Sequence, residues 1–80
     1  MVDAGIYDND TLIVDRSLTP HNGSVIVALL NGDFTVKYFS KTGSVISLKP
    51  GSDSFDCIEL TEGDDFEVWG VVTNCIHHLR

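Results

Sequence analysis

The chain has 80 residues, 42% of them hydrophobic and 21% charged, with 5 basic against 12 acidic side chains and a formal charge of −7. That is one small domain, too apolar and too varied for a disordered tail, and no segment reaches the ~20 apolar residues that a membrane span requires. The acidic surplus, with cations scattered at Arg16, Lys37, Lys41, Lys49 and Arg80, repels phosphate backbones and argues against direct nucleic-acid binding. A domain of this size buries only about 60% of the surface its unfolded chain exposes, so a homo-oligomer is expected on size alone.

In chain order, Gly, Pro, Asn, Asp and Ser recur at short intervals between runs rich in Val, Ile, Leu, Phe and Thr, which is the punctuation of a mostly β protein. Asp8-Asn9-Asp10 is a turn into a first strand, Thr11 to Asp15, and Thr19 to Gly23 is the next turn. Ser24 to Leu30 is too continuously apolar to have one wet face and reads as a central strand covered on both sides. Asn31-Gly32 closes a hairpin onto Asp33 to Phe39, because both central positions of the favoured two-residue turn need positive φ. On that arm Phe34, Val36 and Tyr38 share one face, and Thr35, Lys37 and Phe39 the other.

Lys41-Thr42-Gly43 turns into a strand from Ser44 to Lys49, Pro50 to Asp56 is a polar loop, and Cys57 to Thr61 is a short strand. After the Glu62-Gly63-Asp64 turn, Asp65 to Ile76 alternates, with Phe66, Val68 and Val72 set opposite Trp69 and Val71. Gly70 marks a bulge or a close backbone approach. No segment has helical periodicity over ten residues.

Several constellations with chemical potential fail on spacing. Asp8-Asn9-Asp10 opens like a calcium loop, but the sixth and twelfth positions, which require Gly and Glu, are Ile13 and Thr19. Strand alternation sends Cys75 and His77 to one face and His78 to the other, and no second ligand pair stands nearby in sequence, so no metal site is expected. Glu59, Glu62, Asp64, Asp65 and Glu67 form a hydrophilic rim around a turn, which also suits a basic partner. Cys57 and Cys75 are expected as free thiols of a cytoplasmic protein, since two cysteines do not make a disulfide scaffold.

Lys37 stands apart. A cation in mid-strand, flanked by Val36 and Tyr38 and sharing a face with Phe39, either snorkels out to blunt a sheet edge or is desolvated toward a neutral amine that can act as a base. The pattern leaves both readings open.

Four stretches carry a resemblance. Gly5-Ile6-Tyr7-Asp8-Asn9-Asp10-Thr11-Leu12-Ile13-Val14-Asp15, Asn22-Gly23-Ser24-Val25-Ile26-Val27-Ala28, Asn31-Gly32-Asp33-Phe34-Thr35-Val36-Lys37 and Val68-Trp69-Gly70-Val71-Val72-Thr73 resemble, in this order, the LexA-like self-cleaving serine peptidases, and among them the UmuD type. The resemblance implies a LexA/signal-peptidase-like fold of small, strongly curved antiparallel sheets, a serine–lysine dyad without cofactor or metal, and Lys37 as its base. It places the serine immediately before a methionine that matches Met1. Ser17, Ser24, Ser40 and Ser44 do not occupy that place.

Residues 1–80 are thus expected to be a single peptidase domain truncated at its amino-terminal side, without the serine and the cleavable arm, and unable to cleave itself. The parent is expected to cut its arm when a RecA filament stimulates it in the SOS response, to form a homodimer, and to join a UmuC-like subunit of an error-prone translesion polymerase. The alternatives are the dimerisation and self-cleavage domain of a LexA-like transcriptional repressor, and a purely structural polymerase-binding scaffold.

Overall fold

The computed structural model describes residues 1, 4–51 and 57–79. Among these, six strands, β1 (Thr11–Asp15), β2 (Val25–Leu30), β3 (Asp33–Thr42), β4 (Val45–Lys49), β5 (Ile58–Glu59) and β6 (Phe66–Ile76), form one sheet of order β1-β6-β2-β3-β4-β5. Every neighbouring pair is antiparallel, in keeping with the mostly β architecture expected of the chain. β2 is interior, as its continuous apolar run requires. Its covering is asymmetric: Ile26 and Ala28 are fully buried, whereas Val25, Val27 and Leu29 on the opposite face are half-buried.

The β2–β3 hairpin turns on Asn31 (φ 50°) and Gly32 (φ 90°), both left-handed, which matches the right-handed twist of the strands they join. β3 runs past Phe39 to Thr42, so the next turn lies at Gly43-Ser44 rather than at Lys41-Thr42-Gly43. β5 is only Ile58–Glu59, shorter than the Cys57 to Thr61 run. Of the Pro50 to Asp56 loop, residues 52–56 lie outside the described residues.

Ile26, Ala28, Phe39, Leu48 and Val71 form the buried core, with Leu30, Ile46, Leu60, Phe66 and Val68 packed against it. The sheet curls to enclose this core. β4 and β6 are separated by two strands, roughly 14 Å across a flat sheet, yet Ile46 of β4, Leu60 and Phe66 of β6 line one cleft.

Two bulges in β6 produce part of this curvature. The β2–β6 register steps from Val27↔Gly70 to Ala28↔Val68 and skips Trp69, while the β1–β6 register steps from Ile13↔Asn74 to Val14↔Val72 and skips Thr73. The first bulge corrects the alternation read from the sequence. With Trp69 as an extra residue, it is Val71 that joins Phe66 and Val68 in the core, and Val72 that turns to the other face beside Val25 and Ile6. The Trp69 carbonyl accepts a hydrogen bond from Arg16 Nε (2.9 Å), and the guanidinium lies over the Trp69 ring, 4.5 Å from its centroid.

Gly70 is a site of close approach as well as the neighbour of a bulge. A Cβ there would collide with Cγ1 of Val14 and press on Cγ of Arg16 and the Asp15 carbonyl, each at 3.4 Å. Gly70→Ala is therefore expected to cost about 1–3 kcal/mol through overpacking, read as a lower urea midpoint at constant slope. An unchanged midpoint would show that β1 yields freely at Val14.

Candidate functional site

Lys37 lies in the middle of β3, in register with Ile26 of β2. Directly paired residues share a face, so the lysine leaves the sheet on the side of Ile26, Phe39 and Val71, the core side. It is half-buried. Among the described residues no carboxylate lies within 4.0 Å of it.

The flank of β3 at this point is open. β4 pairs with β3 only as far as Lys49↔Tyr38, and none of the described strands continues that ladder beside Lys37. The start of the chain lies near the end of β4. Met1 packs so closely on Gly51 that a Cβ on the glycine would sit 2.8 Å from the Met1 Cα. Met1 also shares a cleft of about 390 Å³ with Ile6, Tyr7, Asp8 and Val36, the residue before Lys37. The Met1 carbonyl accepts hydrogen bonds from the Ala4 and Ile6 amides, both 3.1 Å.

Ser17 and Ser24 serve turns. Ser17 Oγ donates to Asp15 Oδ1 (2.6 Å), and Ser24 Oγ accepts from the His21 amide (2.9 Å). Ser40 borders a cleft with Gly23, Tyr38, Phe39 and Lys49, and Ser44 is exposed at the β3–β4 turn. Among the described residues none of them hydrogen-bonds to Lys37.

A second cluster was not visible in the linear sequence. Asp10, Cys75 and His77 meet where β1 begins and β6 ends, because the Leu12↔Cys75 pairing sets Asp10 opposite His77 on the same face. No second ligand pair stands near Cys75 and His77 in sequence, and one further ligand-type group, Asp10, comes to them from the other end of the chain. Asp10 Oδ2 accepts from the Tyr7 amide (2.8 Å) and lies 2.6 Å from His77 Nδ1 and 3.1 Å from Cys75 Sγ. His78 points elsewhere, with Nε2 2.7 Å from Thr11 Oγ1. Cys57 and Cys75 are free thiols.

The electrostatics follow from these bonds. The Tyr7 amide, helped by Cys75 and His77, holds the Asp10 carboxyl below the usual carboxylate range against the opposing effect of burial. Burial first and the Asp10 carboxylate second push the Cys75 thiol up. In the acidic rim, the Thr61 amide and the Asn31 side chain pull Asp64 down, and the Ser17 hydroxyl and amide do the same for Asp15.

All three carboxyls bind protons less readily in the folded than in the unfolded chain, where they titrate near 4. Their stabilisation is complete above that value and is lost as pH falls through the lower folded pKa values. The melting temperature is therefore expected to fall steadily between about pH 5 and pH 3. Asp64→Asn should flatten that slope, and a variant with the wild-type slope would remove Asp64 from the account.

Residues 1–73 match the Peptidase S24-like family. The chain is similar to the LexA repressor of Acidovorax sp. (strain JS42), 40% identical over 78 residues, and to that of Clostridioides difficile (strain 630), 42% identical over 81. It is also 44% identical over 72 residues to the LexA repressor of Herminiimonas arsenicoxydans. These alignments cover 98%, 100% and 89% of this chain but 35%, 38% and 33% of the relatives, so the chain spans about a third of their length. The curled antiparallel sheet and the match over nearly its whole length place the chain in the Peptidase S24-like family, with the LexA repressors among its relatives.

Proposed function

We propose that this chain is the self-cleavage domain of a LexA-like transcriptional repressor, with Lys37 as the general base for a serine that precedes Met1 in the parent protein. The observation that carries this reading is the placement of Lys37. It is half-buried on the core side of β3, at the flank where β4 has ended, and Met1 packs on Gly51 just beyond the end of β4.

A residue just before Met1 enters beside that flank, within a few ångströms per residue of chain. There the lysine amine takes the proton of the serine hydroxyl as its oxygen attacks the peptide carbonyl, then delivers it to the departing amine. No metal or cofactor is required by this chemistry. The repressor names of the relatives support the parent's identity. The parent would be a cytoplasmic homodimer of the SOS response, answering to a RecA filament.

The stretch Trp69-Gly70-Val71-Val72 through the two histidines to Arg80 favours a second reading, a UmuD-like accessory subunit that binds a UmuC-like translesion polymerase after cleavage. The upstream sequence separates the two, since a helix-turn-helix domain means a repressor and a short arm means the polymerase subunit. For either one, the full-length protein is expected to cut itself in the presence of activated RecA. Absence of cleavage with and without RecA would falsify the peptidase reading.

A further inference from the structure

We propose that Asp10, Cys75 and His77 form a binding site for a zinc-class divalent cation, with an open fourth position, that clasps the end of β6 to the turn before β1. The carboxylate oxygen, the thiol sulfur and the imidazole Nδ1 all lie within 4.8 Å of one another. For zinc bond lengths of about 2.0–2.3 Å, ligand atoms of a tetrahedral site stand about 3.3–3.7 Å apart. The present separations of 2.6 and 3.1 Å from Asp10 Oδ2 need open by less than about 1 Å. That adjustment falls to His77, whose side chain is half exposed beyond the end of β6.

Two further observations point to a cation. The Asp10 side chain is only 5% exposed, and among the described residues no lysine or arginine lies within 4.0 Å of it. The carboxylate thus carries its charge on hydrogen bonds from Tyr7, Cys75 and His77, and no fixed cation among the described residues competes with a metal ion for it. In addition, the Tyr7 amide, the thiol and the imidazole all converge on the same oxygen, Oδ2. A carboxylate oxygen has two lone-pair sites for three donors, whereas a cation among the oxygen, sulfur and nitrogen leaves Oδ2 only the Tyr7 amide and the metal.

The step balances. The thiol loses its proton to solvent and binds as thiolate, the imidazole binds through unprotonated Nδ1 and keeps its proton on Nε2, and the carboxylate binds as it is. Two negative ligands neutralise the divalent charge, and water takes the fourth position. Thiolate with imidazole selects zinc or cobalt over magnesium and calcium, which require oxygen ligands. The Tyr7 ring lies 5.3 Å from the His77 ring, tilted by 54°.

The test is titration of the reduced, tag-free chain with Zn²⁺ by calorimetry, and with Co²⁺ by absorption spectroscopy. One ion per chain with micromolar or tighter affinity, about one proton released per ion, and a thiolate-to-cobalt charge-transfer band are expected. Cys75→Ser should abolish the band, and both Cys75→Ser and His77→Gln should weaken binding at least about tenfold while the β-sheet circular dichroism is retained. Cys57→Ser and His78→Gln should bind like wild type. Failure to bind at roughly 100 µM Zn²⁺, or binding that survives Cys75→Ser, overturns the site.

Discussion

Lys37→Ala in the full-length parent is expected to reduce RecA-stimulated self-cleavage at least about a hundredfold, the lower end of what a positioned general base contributes. Loss of the base is felt strongly because a serine hydroxyl is a weak nucleophile until its proton has somewhere to go. Lys37→Arg should not rescue, since a guanidinium does not give up its proton at any pH a protein tolerates. Lys41→Ala is the matched control: Lys41 is also on β3, but exposed near its far end. The experiment also separates peptidase from scaffold. A protein that acts only by binding partners keeps dimerisation and partner binding in Lys37→Ala and has no cleavage to lose. Full cleavage by the alanine variant would move the base elsewhere.

Ile26→Ala is expected to remove 2–5 kcal/mol of stability, the range for deleting a large buried aliphatic side chain. Ile26 is fully buried between Lys37 of β3 and Val71 of β6, so its loss leaves a cavity that the paired backbones of an interior strand resist closing. A chain of 80 residues has about 4–12 kcal/mol in total at typical values per residue. The substitution thus brings the domain close to unfolding, and urea denaturation monitored by tryptophan fluorescence will read it. Ile13→Ala makes the comparison clean, because Ile13 is 46% exposed on the edge strand β1 and should lose far less. Equal losses at the two positions would mean that the core is not where the sheet places it. A large loss at Ile26 also predicts weaker cleavage in the parent, since the same side chain backs Lys37.

How much of this was legible beforehand differs from element to element. The Asn31-Gly32 hairpin was readable because two consecutive left-handed residues admit few sequences. β2 was readable because an unbroken apolar run has no use at an edge. The parity of β6 at Val71 and Val72 departs from simple alternation, because a bulge inserts one residue without any mark except Gly70, and a single inserted residue exchanges the two faces until the next bulge, here at Thr73.

The candidate sites divide in the same way. Lys37 could be singled out from the chain alone, since a lysine among apolar and aromatic strand residues conflicts with its surroundings and the conflict is local. The Asp10–Cys75–His77 cluster could not, because it joins residues more than sixty positions apart through the register of β1 on β6. Local pattern determines which face a strand buries and where it turns, as those depend on a few neighbouring side chains. Which strands become neighbours, and at what offset, is decided by the closing of the whole core, and that alone brings the two ends of this chain together.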